Sequence, residues 1–171
     1  MKISINKLMI VSLLLFTAIL TGCSGSGINL TDGDIHISKE MNEVISNYII
    51  QHYGSSYYDT EKQIEVHKIY GTSESNGVLS VYMWSYFCGF NKSTGTEPQA
   101  GHSLPAVIQL KKDGDSYSVV KYKEPEDGSL YPSSLKKMFP KRYLKLVHRD
   151  TGNIGDLEKE MDKKVESWLK E

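Results

Sequence analysis

Four strand-like stretches, separated by turn-like segments, constrain this chain more than any other feature of its sequence. They are Gln63–Tyr70, Val78–Phe90, Leu104–Lys111 and Tyr117–Lys123. The segment GTSESNG (71–77) is typical of a turn, and the pair Asp113-Gly114 suits a tight hairpin between the last two stretches. Parallel neighbours would need long crossover connections at these points. The sequence therefore predicts an antiparallel meander of four strands.

The stretch Val78–Phe90 carries large apolar side chains on both of its alternating faces. A strand with two apolar faces is typical of a sheet that is covered on both sides. We therefore expect packing against each face of this strand over at least part of its length. Gly89, near its end, is typical of a bend or bulge.

Helical periodicity flanks the strands on both sides. The pattern predicts a helix over 38–53, with Ser38 as its N-cap and Gly54 ending it. Its apolar positions are Met41, Val44, Ile45, Tyr48, Ile49 and Tyr53. A short helix is predicted at Ser134–Phe139, and a last amphipathic helix begins at its predicted cap, Asp156.

The predicted order is thus one helix, four antiparallel strands and two terminal helices. One helix laid across a curved antiparallel sheet is the α+β architecture of cystatin-like and nuclear-transport-factor-like domains. We expect an α+β fold in which the N-terminal helix packs on a curved four-stranded antiparallel meander in a cystatin-like arrangement. The short helix and the C-terminal helix follow the sheet.

The start of the chain has a separate pattern. Two lysines precede an apolar stretch over 8–20, which is too short to cross a membrane comfortably. The letters Leu20-Thr21-Gly22-Cys23 then form a bacterial lipobox, in which the cysteine receives a diacylglycerol thioether before the leader is removed. We predict cleavage between Gly22 and Cys23, and membrane lipid on Cys23 that holds the chain at the extracytoplasmic face of the cell membrane. An ordinary secretory leader or signal anchor is the alternative.

Three segments follow from this prediction: a signal peptide over 1–22, a lipidated tether over 23–34 and a single domain over 35–171. Removing the leader leaves 149 residues with 18 basic and 21 acidic side chains, a formal charge of −3, and gives no indication of nucleic-acid binding. Once Cys23 carries lipid, Cys88 has no partner for an intramolecular disulfide. We expect Cys88 to be a small buried apolar side chain.

Motifs that carry chemistry are missing from the sequence. The five histidines do not form a zinc motif, and the chain has neither a nucleophile elbow nor a phosphate loop. We therefore predict no catalytic residue, no metal and no cofactor. The alternative is a small cell-envelope hydrolase whose acid and base come together only on folding, drawn from Asp127, His102 and Glu97. That hypothesis requires a pocket where a carboxylate and a histidine converge with perturbed pKa values.

Two surface features suggest binding. Tyr82, Trp84 and Tyr86 share one face of the second strand, and rigid rings with a polar atom suit a concave binding face as well as a half-buried sheet. The basic stretch over 135–142 suits either a solvated face or contact with anionic lipid or an acidic wall polymer. The sequence leaves both alternatives open for each feature.

One block of the chain carries a family resemblance. Its features are Ser103-x-Pro105 before an apolar strand, the hairpin, Tyr122-x-x-Pro125-x-Asp127-Gly128-Ser129-x-Tyr131, and Phe139-Pro140. With these features, residues 101–143 resemble the extracytoplasmic C-terminal segment of antirepressor-type, beta-lactam-sensor-like membrane metallopeptidases of Gram-positive bacteria. The zinc motif and membrane helices of the peptidase part have no counterpart in this chain.

The resemblance implies a stand-alone extracellular accessory or sensor module with no catalytic residue to transfer. Together with the lipobox, it leads us to expect a non-catalytic lipoprotein. Such a module would bind a membrane-protein or envelope partner at the cell surface.

Overall fold

The computed structural model describes residues 28–57 and 59–171, a part of the chain that folds as an α+β structure with five strands and four α-helices. The strands are β1 (Leu30–Asp32), β2 (Lys62–Ser75), β3 (Val78–Phe90), β4 (Ala100–Asp113) and β5 (Ser116–Lys123). The helices are α1 (Lys39–Tyr53), α2 (Tyr131–Met138), α3 (Lys141–Asp150) and α4 (Gly155–Trp168). The predicted leader and the predicted lipidation site, Cys23, lie outside the described residues.

The sheet is an antiparallel meander in the order β1-β2-β3-β4-β5. This confirms the α+β class and the antiparallel pairing. The prediction of four strands is wrong, because β1 adds a fifth strand at one edge and precedes α1 in the chain. Three residues are too few to show an alternating pattern in a sequence, which is why β1 carries no recognisable signal.

The first hairpin is tighter than the sequence predicted. Strand β2 continues to Ser75, and its turn consists of Asn76 and Gly77, which have φ angles of 52° and 72°. Two central residues with positive φ are typical of a type I′ turn, for which Asn-Gly is a favoured sequence. The predicted break over 71–77 is therefore wrong along most of its length, since residues 71–73 pair with β1.

Because of strand β1, the folded domain begins earlier in the chain than predicted. The strand pairs with the residues around Thr72, and the Tyr143 hydroxyl donates a hydrogen bond to the Thr31 carbonyl oxygen at 2.9 Å. The boundary predicted between a tether over 23–34 and the domain is therefore too late. The folded part includes Leu30 and the residues that follow it.

Helix α1 covers one face of the sheet. Ser38 is its N-cap, as predicted, and its hydroxyl accepts a hydrogen bond from the Met41 backbone N–H at 3.1 Å. The buried residues of this layer are Met41, Ile45, Ile49 and Tyr53 from α1, with Val81, Met83, Phe87, Ala106, Ile108 and Leu110 from the sheet. This core fixes the direction in which α1 crosses the strands.

The C-terminal helices cover the opposite face. Their buried residues are Leu135, Phe139, Tyr143, Val147, Leu157, Met161, Val165 and Trp168, which pack on Ile64, Val66, Tyr82, Trp84, Cys88 and Phe90. Strand β3 is therefore covered on both faces, as its apolar alternation predicted. Cys88 is buried and forms no disulfide with any described residue, in agreement with its prediction as a small apolar side chain.

The C-terminal helices differ from the prediction in number and limits. Helix α2 begins three residues before the predicted Ser134, because Pro132 fits a first helical turn, where its missing N–H costs nothing. Helix α3 is absent from the sequence prediction, since Tyr143 and Val147 are its only fully buried apolar side chains and charged residues surround them. Helix α4 begins at Gly155, so Asp156 lies in its first turn instead of capping it.

Candidate functional site

The predicted aromatic binding face is covered. Tyr82 and Trp84 are 7% and 4% exposed, and with the half-buried Tyr86 they lie under the C-terminal helices. The Trp84 indole donates a hydrogen bond to Ser103 at 2.7 Å, and the Tyr82 hydroxyl lies 3.1 Å from that of Ser73. The prediction of a binding surface here is wrong, because three helices pack on this face of the sheet.

The residues of the hydrolase hypothesis do not form a common site. Asp127 and Glu97 are exposed, and in the described ranges neither side chain forms a hydrogen bond or an ion pair with His102. Instead, His102 Nδ1 lies 2.9 Å from the Tyr57 hydroxyl, and its ring centroid lies 4.1 Å from that of Tyr53. Burial lowers the pKa of His102, which favours the neutral imidazole. The structure gives the hydrolase hypothesis no site at these three residues.

The rings around His102 join the end of α1 to β5. The Tyr53 hydroxyl donates to Glu124 and lies 3.2 Å from the Tyr122 hydroxyl, while the Tyr57 ring stacks on Phe87. Burial, followed by the hydrogen bond to Glu124, raises the pKa of Tyr53 far above its ordinary value. These contacts fasten the end of the helix to the sheet.

A groove along the outer edge of β2 is the best candidate site. Strand β1 pairs only with residues 71–73, so no strand in the described ranges lies against the outer edge of Lys62–Ile69. Helix α1 stands on one side of this edge and α4 on the other. Two cavities, of about 840 and about 350 Å³, follow the edge and share Ser46 and Lys164 among their lining residues. We call these two cavities together the edge groove.

The walls of the edge groove are mostly polar. Helix α1 contributes Lys39, Asn42, Glu43, Ser46, Asn47 and Ile50, and α4 contributes Asp156, Leu157, Glu160, Lys164, Ser167 and Trp168. Lys39 pairs with Glu43 and Lys164 with Glu160, each at 3.6 Å between nitrogen and oxygen. Because these charges are paired within each wall, the groove has no strong charge of one sign with which to select a ligand.

The floor of the groove is the backbone edge of β2. The Lys164 ammonium group donates a hydrogen bond to the Glu65 carbonyl oxygen at 3.1 Å, which shows that this carbonyl points away from β3. In an antiparallel strand, the N–H and C=O of one residue point to the same side, and successive residues alternate. The outward groups of the edge therefore belong to Gln63, Glu65, His67 and Ile69.

A buried polar network lies beside this edge. The Glu65 carboxylate accepts hydrogen bonds from the hydroxyls of Ser85 at 2.8 Å and Ser46 at 2.7 Å. His67 Nδ1 lies 3.0 Å from the Glu65 oxygen that Ser46 contacts, and His67 Nε2 lies 2.9 Å from the amide oxygen of Asn42. The network joins β2 to α1 through Ser46 and Asn42, and to β3 through Ser85.

Glu65 is ionised within this network. Its side chain is fully buried, and burial alone would raise its pKa. The hydrogen bond and charge of His67, together with the two serine hydroxyls, outweigh burial and lower the pKa of Glu65. Both carboxylate oxygens and both ring nitrogens already have partners. The network therefore fixes one wall and the floor of the groove, and it has no group free to act on a substrate.

The sequence contains a weak signal for this network. Glu65-x-His67 lies within a predicted strand, and a spacing of two residues places both side chains on one face. Ser46, Asn42 and Ser85 come from other elements, and no local pattern relates them to that pair. The groove itself arises only where two helices flank an unpaired edge.

Comparisons of the chain with models of known protein families, with curated proteins and with solved structures found no match. Among the helices of residues 28–57 and 59–171, none is long and apolar enough to cross a membrane. The same ranges contain no group of three or more histidine, cysteine, aspartate or glutamate side chains arranged to hold a metal ion.

Proposed function

We propose that this chain is a lipid-anchored, extracytoplasmic, non-catalytic binding module that takes an extended segment of a partner protein into the edge groove. The lipobox ending at Cys23 supports the anchor and the location at the cell membrane. The edge groove carries the binding proposal. The partner is a membrane protein or another protein of the cell envelope.

Strand addition is the mode of binding that suits this groove. An unpaired edge presents alternating N–H and C=O groups that only another extended backbone satisfies in register. Lys62–Ile69 offers eight residues of such an edge, or about 27 Å at the rise of an antiparallel strand. The cavities on either side of Lys164 leave room for side chains of the added segment.

Lys164 controls access to the centre of the edge. Its ammonium group occupies the Glu65 carbonyl oxygen, which an added strand would use as an acceptor. A lysine at an edge is a common protection against unwanted pairing. In this proposal, an entering peptide N–H replaces the ammonium group, and Lys164 swings aside to its salt-bridge partner Glu160.

The predicted cystatin-like arrangement and the family resemblance support the same proposal. We propose a cystatin-like relationship for α1 and the meander, because a single helix crosses one face of the antiparallel sheet. The resembling block, residues 101–143, spans β4, β5, α2 and the start of α3. A module of that kind at the surface of a membrane suits an accessory or sensor role.

Membrane capture with a blocked groove tests the binding proposal. Asn47 is exposed on the α1 wall, so Asn47→Trp fills the groove without disturbing the core. Val120→Trp, at an exposed position on β5, is the matched control. We expect a cross-linked partner with the unaltered chain and with Val120→Trp, and its loss with Asn47→Trp. A partner captured equally by all three chains contradicts binding in the edge groove.

Mass spectrometry of the N-terminal peptide tests the anchor separately. The proposal expects a chain that begins at Cys23 and carries diacylglycerol on its sulfur. A chain cleaved elsewhere without lipid contradicts it.

A further inference from the structure

Helices α2 and α3 carry a concentrated basic surface that the proposed function does not use. Its exposed members are Lys136, Lys137, Lys141, Arg142, Lys145 and Arg149, and we call them the basic surface. The only acidic residue in the two helices is Asp150, which is buried and paired with Lys68 at 2.8 Å and with Arg149 at 2.9 Å. The predicted mature chain as a whole is acidic, with a formal charge of −3. Positive charge is therefore concentrated on α2 and α3.

Most of this charge is uncompensated. Within the described residues, the four lysines of the basic surface form no ion pair, while Arg142 pairs with Asp32. Lys141 and Lys145 lie one turn apart on α3, and the helix face opposite to theirs contains the buried Tyr143 and Val147. Their ammonium groups therefore face away from the sheet.

The chain enters the folded domain beside this surface. Strand β1 lies against the first turn of α3, through the ion pair of Arg142 with Asp32 and the hydrogen bond from Tyr143 to the Thr31 carbonyl oxygen. Ile28 is five residues from Cys23, and five residues span at most about 18 Å whatever their conformation. A membrane that holds Cys23 is therefore within reach of the basic surface.

We propose that the basic surface docks on the anionic headgroups of the bilayer that anchors the chain, which orients the domain on the membrane. The inference rests on the anchor proposed at Cys23. Clustered lysines close to an anionic leaflet gain electrostatic energy that falls off within a Debye length, about 8 Å at physiological ionic strength. The short connection to Cys23 allows them to come within that range of the membrane surface. None of the residues of the basic surface lines the edge groove, so docking through them does not use the groove.

Fluorescence quenching in vesicles tests this orientation. The lipidated chain is reconstituted into vesicles of phosphatidylcholine, alone or mixed with phosphatidylglycerol, that contain a headgroup-labelled quencher. Because Cys88 is buried, an introduced cysteine takes the dye selectively. His148→Cys reports from α3, and Asn47→Cys reports from α1 on the opposite layer. We expect stronger quenching at position 148 than at position 47 in phosphatidylglycerol vesicles, and no such contrast in phosphatidylcholine alone.

Charge removal supplies the second arm. Each of Lys141→Gln and Lys145→Gln is expected to lower the ratio of docked to undocked chain about fivefold, the effect of one charge near an anionic surface. Lys163→Gln, at an exposed position on α4 with no ion pair among the described residues, is the matched control and is expected to leave the ratio unchanged.

Equal quenching in both kinds of vesicle, or no response to the two α3 substitutions, overturns the docking inference. If the contrast between the reporters is absent and the chain instead binds a soluble polyphosphate-type polymer through Lys141 and Lys145, the surface belongs to an acidic wall polymer. Mass spectrometry of Cys23 separates the two proposals. Lipid on Cys23 without contrast between the reporters overturns docking alone, whereas an unlipidated chain that does not sediment with vesicles contradicts the anchor and the docking together.

Discussion

At the scale of single residues, the molecule depends on a carboxylate that is ionised inside its fold. The burial of Glu65 is tolerated because Ser46, Ser85 and His67 surround its carboxylate with hydrogen-bond partners. Such networks are stabilising when every member is satisfied and costly when one partner is removed. The groove therefore has a rigid floor as long as Glu65 remains charged.

Replacing this carboxylate gives the first prediction. Glu65→Gln keeps the shape of the side chain but weakens its charge-assisted hydrogen bonds, so we expect the free energy of unfolding to fall by about 2–4 kcal/mol. Urea denaturation at neutral pH measures the change. Glu166→Gln, at an exposed position on α4, is the control and should stay within about 0.5 kcal/mol of the unaltered chain. Equal stability of the two variants would show that the network contributes little.

The pH dependence of stability gives the second prediction. The folded pKa of Glu65 lies below its unfolded value, so its contribution is complete above the unfolded pKa and is lost as the pH falls through the folded one. The pKa of Asp150 is lowered too: the hydrogen bonds and charges of Arg149 and Lys68 outweigh the burial that would raise it. Stability should therefore decrease as the pH drops below about 4.3, the ordinary pKa of a glutamate. Denaturation curves over this range should be less pH-dependent for Glu65→Gln, and an unchanged slope would contradict the assignment.

At the scale of elements, the unpaired edge of β2 and its cover by α4 decide what the molecule can bind. Among the described strands, β5 also has an unpaired outer edge, but α1 and α4 flank β2 and enclose the edge groove. Lys164 is the contact that closes the β2 edge at its centre. The side chain of Lys164 therefore protects the centre of this edge from pairing with another strand.

Removing that side chain gives the third prediction. Lys164→Ala frees the Glu65 carbonyl oxygen, so we expect the isolated protein to self-associate through the β2 edge at concentrations where the unaltered chain stays monomeric. Sedimentation velocity measures the shift. Lys163→Ala removes a neighbouring exposed lysine of the same helix and should behave like the unaltered chain. Identical sedimentation of all three chains would mean that Lys164 does not protect the edge.

The junction of β1, β2 and α3 gives the fourth prediction. A Cβ atom at Gly71 would overlap the Tyr143 hydroxyl and the Thr31 carbonyl oxygen, so Gly71→Ala should lower the free energy of unfolding by about 1–3 kcal/mol. Gly155→Ala, where a Cβ would meet nothing within 4 Å, is the control and should be neutral or slightly stabilising. Thermal unfolding compares the two. A neutral Gly71→Ala would show that this junction is looser than the structure implies.

These elements also show what the sequence can predict. The limits of β3 and the span of α1 were predictable, because long apolar periodicity and a serine cap are local signals. Strand β1 and helix α3 were not, because one has three residues and the other buries only two apolar side chains. The burial of Trp84 depended on where α2 to α4 dock. The edge groove could not be predicted from the sequence, since it consists of the space between two helices and an edge that none of the described strands covers.

At the scale of the whole molecule, three features of the surface bear on the proposed function. The chain enters at β1, the basic surface of α2 and α3 lies beside that entry, and the edge groove runs along β2 between α1 and α4. In the proposed arrangement, lipid on Cys23 holds the domain against a membrane, and the edge groove takes a segment of a neighbouring protein. In this proposal, backbone pairing along the β2 edge supplies the affinity, and the cavities beside that edge select the side chains of the partner.

Strand addition can be tested by residue-resolved amide hydrogen exchange. Exchange is measured on the free chain and on the chain bound to the partner that the membrane-capture experiment recovers. The account predicts slower exchange at the outward amides of Gln63, Glu65, His67 and Ile69 in the complex. The intervening amides of β2 already pair with β3 and should change little. Protection confined to β5, or no alternation along β2, would contradict the account.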